Sequence, residues 1–223
     1  KKKSPPAAAE GKLGAFALTD PGAGPDAAAK TKAVVDGDDY VINGTKCFIS
    51  NMGPEEGDYV VVIALTDPEK KTRGMSAIVV DRGTPGFTVG KTESKMGLRA
   101  AAVSELIFED CRVPRSNLIG AEGEGFKIAM MALDGGRVGM AAQGIGIAEA
   151  AIEASVKYAK ERVQFGKPIA NLQGVQWYLA DMAARTEAAK PWSSRRLRRS
   201  ATGNPPPSWP PWPSIWLPKM PSG

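Results

Sequence analysis

The apolar pattern of the sequence changes near Gly120, and this change constrains the fold more than any other feature. Upstream, residues 11–115 contain short apolar stretches separated by proline and glycine, which predicts strands. Downstream, apolar residues recur at steps of three and four between Val138 and Ala159, which predicts a helix. Because no helical pattern separates the strands, a sandwich or barrel is favoured over a βαβ sheet. The sequence therefore predicts an α+β fold, in which an antiparallel β-barrel or sandwich domain is followed by part of an α-helical bundle.

Local sequence assigns individual elements within this outline. Asn43-Gly44 separates two apolar stretches and is typical of a type I′ hairpin turn. Residues 59–65 read YVVVIAL, a run that predicts a strand buried on both faces. Further strands are predicted at residues 75–80, 87–89 and 103–108, and a second helix at residues 172–190. Gly139, Gly144 and Gly146 predict close approach of another helix to the first, because glycine otherwise weakens a helix.

The predicted organisation has four parts. They are an unstructured N-terminus at residues 1–10, a β-domain at residues 11–116, a partial C-terminal helical domain at residues 117–190, and a tail at residues 191–223. The tail holds nine of the 18 prolines and four of the five tryptophans but no acidic residue. Such a composition cannot build a packed core. We expect a disordered or out-of-frame tail, and a proline-rich ligand segment is the alternative.

Composition excludes several classes of function. The chain has no histidine, which excludes a Ser-His-Asp triad, a Cys-His pair and every metal site that uses histidine. Its net charge of +5 is concentrated at the two ends, so residues 4–190 carry a net −3 and offer no basic stripe for nucleic acid. No membrane span and no targeting signal are visible. Cys47 and Cys111 form no CxxC motif and are interpreted as reduced thiols. These features favour a bacterial cytoplasm or the mitochondrial matrix.

The segment from Gly22 to Ala27 fits the dinucleotide-binding pattern GxGxxA. A Rossmann site needs a strand before this pattern and a helix that begins at it. Pro25 lies inside the pattern and further strands follow it, so a turn of the β-domain is the better interpretation.

An ordered set of motifs over residues 11–190 resembles the acyl-CoA dehydrogenase family. The set comprises FALTDPGAG from Phe16, KCFISN from Lys46, KMGLR from Lys95, FEDCRVP from Phe108, LDGGR from Leu133, RVQFGKPI from Arg162, LQ at Leu172 and LADM from Leu179. The DGGR and RVQFGKP motifs are most similar to the short-chain, butyryl-CoA branch. The resemblance implies FAD-dependent α,β-dehydrogenation of a short-chain acyl-CoA to the 2-enoyl-CoA. It further implies electron transfer to an electron-transfer flavoprotein and a parent homo-oligomer, a tetramer.

The same resemblance assigns roles to individual positions. The residues it implies for FAD are Phe16, Leu18, Thr19, Phe48, Ile49, Ser50, Arg162, Gln164, Phe165 and Gln173, and those it implies for the substrate are Pro25, Asp134 and Arg137. Thr19 is expected at the pyrimidine end of the flavin and Ser50 near its N5 atom. Arg162 and Gln173 are expected to hold the FAD of a neighbouring subunit. Taken alone, Arg162 could be a solvated charge at a helix end, and Asp134 could be a helix N-cap.

Two departures from the family pattern affect the expected activity. Pro25 stands where the family usually has a serine that touches the CoA, and proline offers neither a hydroxyl nor an N–H. The glutamate base of the family is expected in a later helical segment, and its alternative position is occupied by Gly136. Loss of a general base costs about 10²–10⁴-fold in rate, so we expect the chain by itself to be inactive or nearly so. Alternatives are an acyl-CoA oxidase-like flavoenzyme fragment and a non-catalytic product that binds FAD or CoA.

Overall fold

The computed structural model describes residues 10–22 and 30–201, with side chains as far as residue 191. The chain divides into two compact units, Lys1–Ala132 and Leu133–Gly223. The predicted boundary at residues 116/117 lies upstream of this division. The first turns of the long helix that follows pack onto the sheet, so they belong to the first compact unit. Residues 1–9, for which an unstructured N-terminus was predicted, lie outside the described residues.

Eight strands of the first unit form one sheet. They are β1 (Gly14–Ala17), β2 (Lys32–Asp36), β3 (Asp39–Ser50), β4 (Tyr59–Leu65), β5 (Met75–Asp81), β6 (Phe87–Thr92), β7 (Val103–Pro114) and β8 (Leu118–Ile119). Their order is β6-β7-β3-β2-β4-β5-β8, and β1 pairs with β4. The strand predicted at residues 59–65 is confirmed, and those predicted at 75–80, 87–89 and 103–108 are confirmed as parts of β5, β6 and β7.

The sheet is mixed, so the prediction of an antiparallel domain is wrong in this respect. Strand β1 runs parallel to β4 over its whole length, and β2 continues along the same edge of β4 with one parallel pair. The described strands do not close into a barrel. Local patterning identifies a strand but carries no information about its partner when the partner is distant in sequence. The parallel pairing of β1 with β4 was therefore invisible in the sequence.

Asn43-Gly44 is not a hairpin turn, because β3 runs through it without interruption. The hairpin between β2 and β3 instead turns at Gly37, which has a φ of +62°. Gly44 lies at a register shift against β7 and has a φ of +143°. A Cβ at Gly44 would lie 2.7 Å from the Cα of Thr31, so close backbone approach explains the glycine. The Asn43 side chain accepts a hydrogen bond from the Asp110 backbone N–H at 2.8 Å, which satisfies a donor at this irregularity.

The first unit has two apolar clusters. The main cluster lies within the sheet and includes Tyr40, Ile42, Ile49, Leu106 and Phe108. The second cluster joins Ile63, Met75 and Ala77 to the first turns of helix α1 (Gly125–Glu161). Gly125 lies close to β5, because a Cβ there would be 2.5 Å from the backbone of Ser76. These contacts fix where α1 begins.

The second unit continues α1 and adds a hairpin and a helix. The hairpin consists of β9 (Val163–Gln164) and β10 (Lys167–Pro168), and helix α2 spans Gln173–Ala201. Both predicted helices are confirmed. The prediction of an unstructured tail from residue 191 is wrong for residues 191–201, which are helical. Pro191 lacks the N–H of a helical residue, but the arginine- and leucine-containing sequence after it favours helix. The rest of the predicted tail lies outside the described residues.

The glycines of α1 do not contact a neighbouring helix among the described residues. A Cβ built at Gly139, Gly144 or Gly146 would meet nothing within 4 Å, so the prediction of close helix approach is wrong here. Glycine at an open helix position lowers the stability of the helix without a compensating contact. In the described part of the chain, neither helix combines the length and apolar character needed to span a bilayer.

The two thiols are expected to differ in reactivity. Cys111 is fully buried in the main cluster, and burial raises the pKa of its thiol to about 11. At pH 8 its thiolate fraction is then about one hundredfold below that of a thiol with the ordinary pKa of 9.0. Cys47 is only partly buried. A chromogenic disulfide reagent should therefore modify Cys47 well before Cys111 in the native protein and both rapidly in denaturant. Equal native rates would contradict the burial of Cys111, and a Cys111→Ala variant identifies the two phases.

The raised pKa of Cys111 also has a consequence for stability. The folded state retains the Cys111 proton to higher pH than the unfolded state does. This contribution to stability is therefore complete below about pH 9 and is lost as the pH rises toward about 11. Comparing the alkaline limb of the stability curve for the wild type and Cys111→Ala isolates this contribution.

Candidate functional site

An open cavity of about 520 Å³ lies on the first unit where β1, the end of β3 and β4 meet. Its walls are formed by Lys12, Gly14, Ala15, Phe16, Phe48, Ser50, Asn51, Tyr59 and Val61. Three aromatic rings, those of Phe16, Phe48 and Tyr59, and the Ser50 hydroxyl therefore surround this space. Its volume lies within the range of about 300–1,000 Å³ typical of ligand sites.

The parallel pairing of β1 with β4 brings one wall of the cavity together. Gly14 pairs with Tyr59 and Phe16 with Val61, so these residues lie on one face of the sheet. Successive side chains of a strand point to opposite faces, and the intervening Ala15 and Ala17 accordingly belong to the main core cluster. The Tyr59 ring occupies the space beside Gly14, where a Cβ would lie 2.5 Å from the tyrosine Cζ.

The end of β3 has an unusual backbone. Phe48 has a φ of +58° and Asn51 a φ of +65°, and the register against β7 shifts between Lys46 and Ile49. A left-handed conformation at a bulky residue costs on the order of 1–3 kcal/mol and persists only when its surroundings enforce it. Phe48 is left 66 % exposed at the cavity, whereas Ile49 is buried in the main cluster. Because of this backbone conformation, Phe48 and Ser50 both line the cavity.

A buried ion pair lies beneath the segment that leaves β1. The Lys46 Nζ lies 3.0 Å from Oδ1 of Asp20, and both side chains are essentially inaccessible to solvent. The same ammonium donates to the carbonyl of Leu18 at 2.9 Å. Asp20 also accepts from the Thr31 hydroxyl at 2.5 Å and from the Lys30 N–H at 2.6 Å. Burial lowers the pKa of Lys46, and the nearby Asp20 carboxylate opposes that shift.

The second unit contains an ion pair and a hairpin turn at positions that the family resemblance singled out. Asp134 and Arg137 form a half-exposed ion pair at 2.9 Å on α1, nine residues or more after the helix begins. Asp134 is therefore not the N-cap of this helix. At the other end of α1, Phe165 and Gly166 both have positive φ, +52° and +74°, and form the two-residue turn of the β9–β10 hairpin. Phe165 is 89 % exposed at the tip of this turn.

Family models match most of the chain. The model described as "Acyl-CoA dehydrogenase, middle domain" matches residues 15–111, and "Acyl-CoA dehydrogenase, C-terminal domain" matches residues 123–211. The chain belongs to the acyl-CoA dehydrogenase family. The middle-domain match lies within residues 11–190, which the resemblance covered, whereas the C-terminal match continues past residue 190 to residue 211. Members of this family are FAD-dependent flavoproteins.

Individual relatives include an acryloyl-CoA reductase and a butyryl-CoA dehydrogenase. The chain is 63 % identical over 183 residues to the acryloyl-CoA reductase (NADH) of Anaerotignum propionicum, a match that covers 81 % of the chain and 46 % of that protein. It is similar to the structure of butyryl-CoA dehydrogenase from Megasphaera elsdenii, with 48 % identity, a TM-score of 0.83, and coverage of 87 % of the chain and 51 % of that structure.

A second similar structure is that of the electron transferring flavoprotein of Acidaminococcus fermentans. It shares 51 % identity and a TM-score of 0.83 and covers 87 % of the chain and 51 % of that structure's chain. The chain spans about half the length of the curated relatives it matches.

The acyl-CoA dehydrogenase resemblance assigned six FAD positions to the β-domain, and the structure brings three of them together at the cavity. Phe16, Phe48 and Ser50 line it. The Leu18 side chain packs against the second apolar cluster, as Phe16 also does, but Leu18 does not line the cavity. Thr19 is exposed beside β3, where its carbonyl accepts a hydrogen bond from the Cys47 N–H at 2.9 Å. The Ile49 side chain lies in the main core and does not line the cavity, so a cofactor contact at this position stays a prediction that only its backbone could fulfil. A buried strand position cannot reach the cavity face.

The remaining family positions lie in the second unit or outside the described residues. Arg162 and Gln164 are exposed beside the hairpin turn at Phe165, and Gln173 is exposed at the start of α2. The Arg162 carbonyl accepts from the Ile169 N–H at 2.8 Å, which closes the base of the hairpin. Pro25 lies outside the described residues.

The residues of the cavity fit a flavin. Phe16 and Phe48 supply apolar surfaces suited to a flat aromatic ring, and Ser50 supplies a hydrogen-bonding hydroxyl at the same space. Lys12 adds a cation at the rim, which suits an anionic cofactor. Within the described residues, no three Cys, Asp or Glu side chains cluster as metal ligands would.

Asp20 and Lys46 were absent from the residues singled out in the sequence, although both belong to family motifs. The sequence feature that reveals Lys46 is the alternation of inward and outward side chains along β3. Ile42 faces the core, and Lys46, four residues later, lies on the same face. A lysine at an inward position of a strand is rarely buried unless it is paired. A lysine at that position therefore implies a carboxylate partner.

Gly14→Ala is expected to change the cavity with little effect on the rest of the sheet. The new methyl group would overlap the end of the Tyr59 ring, which must then move within the cavity. We expect FAD affinity to fall about tenfold, equivalent to roughly 1.4 kcal/mol. Titration of FAD into both proteins measures this effect. Gly97→Ala is the control, because a Cβ there meets nothing within 4 Å. Equal FAD affinity in the Gly14→Ala variant and the wild type would place the cofactor elsewhere.

Proposed function

We propose that this chain supplies the FAD-binding β-domain, and part of the helical domain, of a short-chain acyl-CoA dehydrogenase. The reaction is α,β-dehydrogenation of an acyl-CoA to the 2-enoyl-CoA. The observation that carries the proposal is the meeting of Phe16, Phe48 and Ser50 at one cavity, since these positions come from two separate motifs. A β-sandwich is the architecture we propose for the complete domain.

The cavity residues have distinct proposed roles. FAD, when bound, supplies the acceptor for the hydride removed from the substrate. Phe16 and Phe48 would pack against the ring system and exclude water from it. The Ser50 hydroxyl would donate a hydrogen bond where negative charge develops on reduction, which is how fixed donors stabilise such charge.

Two groups of the second unit are proposed to bind anionic parts of the ligands. Arg162 is exposed and has no ion pair with another described residue, so its guanidinium can form paired hydrogen bonds to a pyrophosphate. We propose that it acts together with Gln164, Phe165 and Gln173 on the FAD of a neighbouring subunit in a homotetramer. Asp134 and Arg137 are proposed to contact the acyl-CoA, which would require their mutual ion pair to open.

The physiological electron acceptor is proposed to be an electron-transfer flavoprotein, and the compartment a bacterial cytoplasm or the mitochondrial matrix. The free thiols Cys47 and Cys111 are consistent with a reducing compartment. Gly136 offers no carboxylate at one of the two places where the family carries its base, so the base of the proposed reaction would have to come from the other. An oxidase-like flavoenzyme and a non-catalytic FAD- or CoA-binding product are the alternatives.

The test is a spectral titration of the FAD-loaded 223-residue chain with butyryl-CoA and with crotonyl-CoA under anaerobic conditions. We expect the flavin absorbance to shift with either ligand, with about tenfold weaker binding in Arg137→Gln because one charged contact is lost. Arg112→Gln, which removes an exposed arginine of the β-domain, serves as the control. An unchanged flavin spectrum would contradict the acyl-CoA assignment and favour the non-catalytic alternative. Rapid reoxidation of reduced, ligand-bound flavin by O₂ would favour the oxidase.

A further inference from the structure

We propose that Asp20 and Lys46 are positioning residues for the cavity, and that their pairing fixes the segment from Leu18 to Asp20 against β3. With Thr31 these residues form a unit that we call the lock. The inference rests on the proposed function, because it concerns how the exit of β1, which follows Phe16, and Ser50 on β3 are held in place for FAD.

The lock uses both carboxylate oxygens of Asp20. Oδ1 accepts the Thr31 hydroxyl at 2.5 Å and lies 3.0 Å from the Lys46 ammonium. Oδ2 accepts the backbone N–H of Lys30 at 2.6 Å. Asp20 thereby joins three separate stretches of backbone at one buried point. These stretches are the exit of β1, the approach to β2 and the middle of β3.

Two consecutive carbonyls of the β1 exit are held by two consecutive residues of β3. The Leu18 carbonyl accepts from the Lys46 ammonium at 2.9 Å, and the Thr19 carbonyl accepts from the Cys47 N–H at 2.9 Å. The register between this segment and β3 is therefore set at Lys46. Ser50 lies four residues farther along the same strand, beyond the irregular backbone at Phe48.

Stability alone does not explain why this inward position of β3 carries a lysine. Apolar residues of similar volume often replace a buried ion pair with no loss of stability, because they avoid the desolvation of two charges. An apolar residue at position 46 could not, however, donate to the Leu18 carbonyl. Irregular backbone inside a protein needs such donors, and the lysine supplies one while the aspartate neutralises it. The lock is thus suited to specifying one conformation of the segment.

The test uses the double variant Asp20→Asn/Lys46→Met in the 223-residue chain. It removes both charges at similar volume, and the amide oxygen introduced at position 20 can still accept from the Lys30 N–H, so the double variant should be less destabilised than Lys46→Met alone, with the lost donor to the Leu18 carbonyl as its main cost. We expect FAD to bind about tenfold more weakly, and the amides of residues 18–20 and Cys47 to exchange faster in the FAD-free protein. The control is Asp36→Asn/Arg112→Met, which removes an exposed ion pair of the same domain and should change neither measurement.

Each outcome bears on the proposal. Wild-type FAD affinity and unchanged amide exchange in the double variant would overturn it, since the segment would then hold its place without the lock. If the wild type does not bind FAD, the proposed function fails, and amide exchange alone decides whether the lock fixes the segment. If the double variant does not fold, Thr31→Val decides by the same measurements. That variant loses one hydroxyl contact with Asp20, and we expect about threefold weaker FAD binding from it, whereas wild-type behaviour would again overturn the proposal.

Discussion

Replacing Lys46 with methionine alone is expected to lower the free energy of unfolding by about 3–5 kcal/mol, because it leaves the Asp20 carboxylate buried without its cation. The two side chains are 0 % and 1 % exposed, so water cannot replace the lost partner without opening the sheet. The Leu18 carbonyl also loses its donor. Guanidinium denaturation, followed by circular dichroism and extrapolated to zero denaturant, measures the change.

The matched control for this prediction is Arg112→Met. Arg112 pairs with Asp36 in the same domain, but both of those side chains are more than half exposed. Exposed pairs contribute about 0–1 kcal/mol, so this variant should remain near the wild type. A loss below about 1 kcal/mol in Lys46→Met would contradict the view that the pair is buried and mutually dependent.

Gly74→Ala is the second substitution from which we expect a large effect, a loss of about 3 kcal/mol or more in the free energy of unfolding. Gly74 ends the 3-10 helix Pro68–Gly74 and is buried directly before β5. Its carbonyl accepts the N–H groups of Thr66 and Asp67 at 2.9 and 3.1 Å, so the two backbone segments are held in contact. A Cβ would lie 1.7 Å from the Asp67 carbonyl oxygen, which is backbone and cannot rotate away.

Relief of this overlap would displace the start of β5, where Met75 and Ala77 belong to the second apolar cluster. Chemical denaturation of the variant and of Gly97→Ala gives the comparison. Gly97 has open space around it, so its substitution should change stability by no more than a few tenths of a kcal/mol. Similar stabilities for the two variants would contradict the close backbone contact at Gly74.

The features predictable from sequence are those determined by residues close together in the chain. The apolar run of β4 and the three-and-four spacing of α1 identified both elements correctly. Asn43-Gly44 misled because the glycine is required by the close approach of Thr31, which directly precedes β2, and turn statistics contain no such contact. The glycines of α1 led to the opposite error. They predicted close contact with another helix, but among the described residues the space around them is open.

The candidate site was predictable as a set of residues but not as an arrangement. Phe16, Phe48 and Ser50 were identified by family motifs, yet they meet only because β1 pairs with β4 and because Phe48 adopts a left-handed backbone. The same backbone places Ile49 in the core, which its motif could not reveal. The buried pair of Lys46 and Asp20 was not predicted, although a charged residue at an inward strand position already implies a buried partner.

The most direct measurement of the central claim is titration of FAD into the 223-residue chain, followed by flavin fluorescence. If the cavity between β1, β3 and β4 holds the flavin, the wild type binds FAD and Phe48→Ala binds it about tenfold more weakly, because a ring stacked on an aromatic side chain is worth about 1–3 kcal/mol. Met96→Ala, which truncates a side chain that is 99 % exposed on the same domain, should bind FAD as the wild type does. Failure of the wild type to bind FAD, or equal affinity in Phe48→Ala, would contradict the account.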